Sequence, residues 1–187
     1  MTDLMAITAL GGTNARSQSF GALTLRENPD VALASLALRR GTELPRPLGL
    51  DLPPPGGWVA GQGVSAFWIG PDQWLIEAEG RAEEDFAATL RAAAPQASVT
   101  EQTDGFVVFE ITSTAGGGPI RALLEKLVNL DVVRFGPSSA TRTGLDHMSV
   151  FVLRRSETHC AILGMRSFAG SLWHALSAAA GRLPSVR

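Results

Sequence analysis

The chain has 187 residues, of which 45% are hydrophobic and 18% are charged, and its formal net charge is −2. This composition is typical of one globular domain, and it lacks the basic stripe that binding to nucleic acid requires. A single cysteine excludes an intramolecular disulfide, and no apolar run reaches the roughly 18 residues of a membrane-spanning helix. The N-terminus, MTDLMAITALGG, lacks the basic segment of a secretory signal, so we expect a cytoplasmic protein without membrane contact.

The first third of the chain is predicted to hold short strands and a proline-rich loop. Residues 1–19 show no sustained period and are predicted to form a flexible arm, whereas residues 20–187 are predicted to form a single domain. Strands are expected at residues 20–26 and 31–39. The loop at residues 41–57 ends in LGLDLPPPGGW, and its prolines favour an extended segment that wraps around the domain.

The stretch WIGPDQWLI, residues 68–76, predicts a β-hairpin. Its two strands, 64–69 and 73–79, flank Gly-Pro-Asp-Gln, in which proline suits the second position of a type I turn and aspartate the third. Trp68 and Trp74 then lie on either side of the turn, where large rings fix the register of paired strands. A packing role is favoured over a cofactor platform for both side chains, because most buried aromatic residues belong to a core.

Helices and hairpins alternate through the rest of the chain. Apolar residues at helical spacing predict three helices, at residues 82–94, 119–128 and 167–179. Two further hairpins are predicted, one joining 98–103 to 106–112 and one joining 143–155 to 159–165. Asp104-Gly105 is expected to turn the first of these hairpins, and Ser167 is expected to cap the last helix. This order predicts an α+β fold of repeated hairpin and helix units, in which a mainly antiparallel sheet carries helices on one face.

Motifs for chemistry are weak. Residues 61–66, GQGVSA, match a dinucleotide fingerprint in letters, but that fingerprint needs a preceding strand and a following helix, and here a loop precedes and a strand follows. The glycines at 116–118 precede a helix without the Gly-Lys-Ser/Thr of a phosphate-binding loop. The three histidines and Cys160 lack zinc-ligand spacing, and Cys160 is interpreted as a buried structural thiol.

Asp104 is the carboxylate that we single out as a candidate ligand-binding residue. It could hold an amine at a sheet edge, with Trp68 or Trp74 as an aromatic wall, although an aspartate before glycine more often makes a turn. Composition and spacing alone indicate no catalytic residue and no metal site.

Six stretches, in collinear order over residues 20–180, resemble the gamma subunit of heterotetrameric sarcosine oxidase. They are LALRRG (36–41), LGLDLPP (48–54), FWIGPDQWLI (67–76), IRALLEKLVNLDV (120–132), TRTGLDHMSVFVLRR (141–155) and MRSFAGSLWHAL (165–176). The tryptophan hairpin and the Arg-Ser-Phe-Ala segment are the most distinctive. The resemblance implies a fold similar to the folate-binding domains of aminomethyltransferases, in agreement with the α+β prediction.

The resemblance also implies membership of a bacterial complex that oxidatively demethylates sarcosine to glycine. Such a complex uses oxygen, makes hydrogen peroxide and can pass the one-carbon unit to tetrahydrofolate. FAD, FMN, NAD, zinc and tetrahydrofolate are expected on the other subunits, and no catalytic residue is carried over to this chain. The expected partners are the alpha, beta and delta subunits. The segment TDGFVVFEI keeps Asp104 but lacks the basic residue of related chains, so a folate site at this corner is expected to be degraded.

Three hypotheses follow. The leading one is a small, non-catalytic subunit that stabilises a flavoenzyme complex by burying apolar surface against larger chains. The alternative is a free-standing folate-binding protein of one-carbon metabolism, with Asp104 and either Trp68 or Trp74 around the pterin. A third is a dimeric interaction module that needs no other partner.

Overall fold

The computed structural model describes residues 6–184 of the chain. Its strands are β1 (Ser17–Phe20), β2 (Leu23–Glu27), β3 (Ala32–Leu38), β4 (Trp58–Ala60), β5 (Val64–Gly70), β6 (Gln73–Ala78), β7 (Ala97–Glu101), β8 (Phe106–Ser113), β9 (Ser139–Leu145), β10 (Met148–Ser156) and β11 (His159–Met165). Its helices are α1 (Phe86–Ala93), α2 (Gly118–Leu127) and α3 (Ala169–Gly181). Short 3-10 turns lie at Pro47–Gly49, Thr103–Gly105 and Arg166–Phe168. No helix of residues 6–184 is long and apolar enough to cross a membrane.

The strands form two antiparallel sheets that pack face to face. One sheet has six strands in the order β1-β2-β8-β11-β10-β9, and the other has five in the order β4-β5-β6-β3-β7. Successive side chains of a strand point to opposite faces, so each sheet contributes to two cores. Between the sheets, residues such as Leu33, Phe67, Leu75, Val108, Leu153 and Leu163 pack together. Helices α2 and α3 cover the outer face of the six-stranded sheet, and α1 covers the outer face of the five-stranded sheet.

The α+β class and the antiparallel pairing are confirmed, but the strands divide between two sheets instead of forming one sheet with helices on one face. The reason is visible in β3, where Leu33 and Ala34 point to opposite faces and both are buried. A sheet with one solvated face alternates apolar and polar residues, whereas a strand covered on both faces is apolar throughout.

The hairpin predicted around Asp104-Gly105 is wrong. Strand β7 belongs to the five-stranded sheet and β8 to the six-stranded sheet, so the turn at Thr103–Gly105 carries the chain from one sheet to the other. Leu33 of β3 holds the end of β7 in place: its N–H donates to Thr103 Oγ1 at 2.9 Å, and its carbonyl accepts from Gln102 N at 2.8 Å. These bonds continue the ladder to β3 and leave no pairing between β7 and β8.

Other boundaries differ in detail. The predicted strand 143–155 is two strands, because Asp146 adopts φ of 41° and turns β9 back into β10; the pairing of β10 with β11 is confirmed. Helix α1 begins at Phe86 because the Asp85 carboxylate caps it by accepting the N–H of Ala88 at 2.8 Å. Ser167 lies in a 3-10 turn and does not cap α3, whose N-cap makes no side-chain hydrogen bond.

The predicted arm lies partly within the described residues. Its first five positions are outside them, but residues 17–20 form β1 and pair with β2. The buried carboxylate of Glu27 accepts the N–H groups of Leu10 at 3.0 Å and Arg16 at 3.3 Å, which ties residues 6–16 to the six-stranded sheet. In the proline-rich loop, Leu50 and Leu52 are buried against the outer face of the five-stranded sheet.

Candidate functional site

The tryptophan hairpin is confirmed as a packing element. Trp68 of β5 lies directly opposite Trp74 of β6, and both belong to the core that lies between α1 and the outer face of the five-stranded sheet. Trp74 is only 6% exposed, and its indole Nε1 donates to the carbonyl of Pro53 at 2.8 Å. The turn itself differs from the type I prediction, because Asp72 at its third position has φ of 56°.

Asp104 lies at the mouth of an open cleft of about 520 Å³, which we call the Asp104 cleft. Four separate segments and the first described residues form its walls, and its polar lining includes Thr8, Glu27, Asn28, Asp30, Glu83, Thr103, Asp104 and Arg166. Val31, Leu33 and Val107 line its apolar part. Neither Trp68 nor Trp74 lines this cleft, so the structure does not bring the three sequence candidates together.

The Asp104 side chain is 98% exposed. It faces the Arg166 guanidinium at 3.9 Å, a distance at which an exposed pair contributes little to stability. The Oγ1 of Thr8 has no hydrogen-bond partner within residues 6–184, although Thr8 is only 8% exposed. A buried hydroxyl without a partner is unusual in a folded protein.

A second polar region, which we call the inter-sheet charge cluster, lies between the two sheets. Arg155 of β10 donates from Nη1 and Nη2 to the Glu77 carboxylate at 3.1 and 2.9 Å, and from Nη2 to Glu110 at 3.1 Å. His159 Nε2 lies 2.7 Å from the other oxygen of Glu110. Glu77 is 2% exposed and also accepts from Ser65 Oγ at 2.7 Å. The cluster therefore joins β6 of one sheet to β8, β10 and β11 of the other.

The pKa values of this cluster follow from mutual pairing. Burial raises the pKa of Glu110, but the hydrogen bond with His159 and the charge of Arg155 lower it more, so this pKa lies below its usual value. Burial lowers the pKa of Arg155, whereas Glu77 and Glu110 raise it above its usual value. Both groups are held in their charged forms. The cluster was missed at the level of sequence because Glu77 and Arg155, which bind each other, are 78 positions apart.

The described residues contain neither a cluster of metal ligands nor an accessible thiol. Residues 6–184 contain no group of three or more His, Cys, Asp or Glu side chains placed to hold a metal ion. Cys160 is buried, and burial raises the pKa of its thiol to about 12, which leaves essentially no thiolate at neutral pH. The structure thus agrees with the interpretation of Cys160 as a structural thiol.

Comparison with solved structures defines first the class of fold. Aminomethyltransferase T of the glycine cleavage system from Bartonella henselae superposes with a TM-score of 0.55 and 15% identity, over 80% of this chain and 44% of that chain. At this identity the likeness concerns the fold alone, which is aminomethyltransferase-like.

A more similar structure is heterotetrameric sarcosine oxidase from Corynebacterium sp. U-96, solved in complex with pyrrole 2-carboxylate. One of its chains superposes with a TM-score of 0.74 and 27% identity, over 91% of this chain and 90% of that chain. The resemblance to heterotetrameric sarcosine oxidase inferred from the six stretches is thereby confirmed. No protein-family model matches the sequence, and a search of curated proteins finds no match.

Proposed function

We propose that the protein is a small, non-catalytic subunit, of the gamma type, in a heterotetrameric sarcosine oxidase. The observation that carries this proposal is the superposition on one chain of such an enzyme over about nine-tenths of both chains. Coverage of about nine-tenths of both chains supports a role like that of a chain of such an enzyme. The assembled enzyme oxidatively demethylates sarcosine to glycine in the cytoplasm, with production of hydrogen peroxide and one-carbon transfer to tetrahydrofolate.

The non-catalytic role is supported by the state of the reactive groups. The buried carboxylates of Glu77 and Glu110 both form ion pairs with Arg155, and the Cys160 thiol is buried. A general base or nucleophile needs a free functional group within reach of a substrate, and these three side chains do not offer one. FAD, FMN, NAD and tetrahydrofolate accordingly belong to the alpha, beta and delta subunits in this proposal.

Co-expression tests the proposal. The chain is produced together with the candidate alpha, beta and delta chains of its source, and the assembly is separated by size-exclusion chromatography. We expect this chain to elute with the flavin-containing subunits, and an assembly prepared without it to lose oxidase stability on heating. The proposal is contradicted if the other three chains elute as a complete, stable oxidase while this chain elutes alone. Elution as a homodimer supports the interaction-module hypothesis instead.

The alternative, a free-standing folate-binding protein, draws support from the aminomethyltransferase-like fold and from the size of the Asp104 cleft. Pockets of this volume hold ligands of the size of a cofactor. The aromatic wall expected from Trp68 or Trp74 is not at the cleft, so tryptophan fluorescence is a poor probe. Equilibrium dialysis of the isolated chain against tetrahydrofolate is the appropriate test, and retention of one ligand per chain at micromolar concentration favours the alternative.

A further inference from the structure

We infer that the Asp104 cleft is the docking site for a basic side chain of a partner subunit, held by exposed carboxylates at the rim of the cleft and by apolar contacts beside it. The inference rests on the proposed function, because it requires that this chain assemble with other subunits. It adds to that proposal the location of the contact and the chemistry of the residue that enters it.

The first argument is charge. Asp30, Glu83 and Asp104 are exposed carboxylates that line the cleft, and Arg166 is the cation that lines it with them. Glu27 also lines the cleft, but its buried carboxylate already accepts the N–H groups of Leu10 and Arg16. Within residues 6–184, Asp30 and Glu83 form no ion pair, and Asp104 has only the long contact to Arg166 at 3.9 Å. Carboxylates gathered in a concave surface with low-dielectric walls concentrate negative potential and attract a cation.

The second argument is the exposed apolar surface beside the cleft. Ile7, Met165 and Phe168 are 57%, 53% and 44% exposed, although large apolar side chains usually find cover. The Met165–Phe168 segment lies near Ile7 because Arg166 of this segment donates from Nη2 to the carbonyl of Ile7 at 3.1 Å. Exposed apolar side chains near one another favour a contact between proteins, and a small cation in the cleft would leave them uncovered.

The third argument is the match of hydrogen-bonding groups. Ionised carboxylates only accept hydrogen bonds, so Asp30, Glu83 and Asp104 offer several acceptors and no donor to a group that enters the cleft. Arginine presents five N–H donors on a planar group, and lysine presents three on a point charge, so either side chain satisfies several of these acceptors at once. Arginine is also enriched among the residues that contribute most to binding at interfaces.

The chain itself does not supply this side chain from its first residues. Residues 1–5, MTDLM, precede the cleft wall that begins at Ala6, and they contain no lysine or arginine. A basic side chain of another subunit would bind the carboxylates of the cleft, and apolar residues flanking it would cover Ile7, Met165 and Phe168.

Charge reversal at the rim tests the inference. The purified chain is titrated onto the assembled alpha, beta and delta subunits by isothermal titration calorimetry, and the double variant Glu83→Lys/Asp104→Lys is compared with Glu43→Lys/Glu125→Lys. Glu43 and Glu125 are exposed residues that do not line the cleft, so this control variant has the same change in net charge. We expect the double variant to bind about 10-fold to 100-fold more weakly and the control to bind like the wild type. The wild-type affinity should fall as salt is raised, and that of the double variant should change less.

Met165→Ser tests the apolar rim separately, and we expect it to weaken binding without altering the salt dependence. Circular dichroism and thermal unfolding of each isolated variant establish that it is folded. If the wild type binds and the double variant binds equally well, the inference is wrong while the proposed function stands. If the wild type does not bind, both fail.

Two further outcomes name a different occupant and overturn the inference. If removal of residues 1–5 abolishes the effect of the double variant, the cleft holds the chain's own N-terminus. If the double variant assembles normally but the complex oxidises sarcosine more slowly, the cleft serves a small molecule.

Discussion

Two acidic regions of this molecule lie on either side of the connection between β2 and β3, and they use their charges in opposite ways. In the inter-sheet charge cluster, Glu77 and Glu110 are buried and both are bound by Arg155. In the Asp104 cleft, Asp30 and Glu83 form no ion pair within the described residues. Asn28 of the connection lines both the cleft and the groove beside the cluster, so the two regions are neighbours.

The charges of the inter-sheet cluster stabilise the fold, whereas the exposed carboxylates of the Asp104 cleft are available to bind another molecule. A buried carboxylate must be paired, because an unpaired buried charge costs several kcal/mol, whereas an exposed carboxylate is stabilised by water and costs the free chain almost nothing. The unpaired acids near the exposed Ile7, Met165 and Phe168 are therefore free to bind the partner that we infer above. Each prediction below tests one side of this comparison.

The largest effect is expected for Arg155→Met. The substitution keeps much of the side-chain volume but leaves Glu77 and Glu110 without their cation, so we expect the free energy of unfolding to fall by about 3–5 kcal/mol. Urea denaturation followed by circular dichroism measures it. Arg91→Met is the matched control, because Arg91 faces Asp85 at 3.7 Å on the surface and its loss should cost less than about 1 kcal/mol. Equal costs for the two variants would remove the distinction between the cluster and an ordinary surface pair.

A pH dependence follows from Glu110. Its pKa is lower in the folded chain than in the unfolded chain, so the carboxylate contributes stability above the unfolded pKa of about 4.3, and this contribution is lost as the pH falls through the folded pKa. We expect Glu110→Gln to be less stable than the wild type at pH 7, with a gap that narrows below about pH 4. Denaturation of both proteins between pH 7 and pH 3 measures the gap. A gap that is constant over this range contradicts the prediction.

A smaller effect, of opposite sign, is expected for Thr8→Val in the cleft. The variant keeps the shape of the side chain and removes a buried hydroxyl that has no partner, so the isolated chain should gain up to about 1 kcal/mol. Thermal unfolding of the isolated chain shows this as a higher midpoint temperature. A loss of stability would mean that the Thr8 hydroxyl is already satisfied in solution.

The smallest effect is expected for Glu83→Gln/Asp104→Asn, which neutralises two rim carboxylates. Neither side chain holds the fold, so the free energy of unfolding should change by less than about 0.5 kcal/mol for each substitution. The same denaturation experiment measures it, with Glu110→Gln as the contrasting paired carboxylate. A large loss of stability would place these acids among the structural charges.

The sequence predicted those parts of the fold that depend on local chemistry. Proline and aspartate between two apolar strands predicted the β5–β6 hairpin, and apolar residues at helical spacing predicted α2 within one residue at each end. The path after β7 was not predictable in this way. Asp104-Gly105 correctly indicates a turn, but whether the next strand pairs with β7 or crosses to another sheet depends on Leu33, which is distant in the chain.

The site was predictable only in part for the same reason. Asp104 was singled out and does line a cleft of about 520 Å³, whereas Trp68 and Trp74 are packing residues on another face. Glu77, Glu110 and Arg155 each stand in an apolar strand, and such a charge signals a buried partner. Nothing local to any of them names that partner, because the pairing arises only when the two sheets meet.

The burial of Cys160 makes the wild-type chain suited to site-specific labelling. It is the single cysteine of the sequence, and its thiol lies in the core with a pKa of about 12, so a maleimide or iodoacetamide reagent has no reactive group in the folded protein. A fluorophore attached to a cysteine introduced on the exposed surface would therefore report from one position without removal of the native residue. In the wild-type chain, the rate at which Cys160 reacts with the reagent would in turn measure how often the six-stranded sheet and its helices separate.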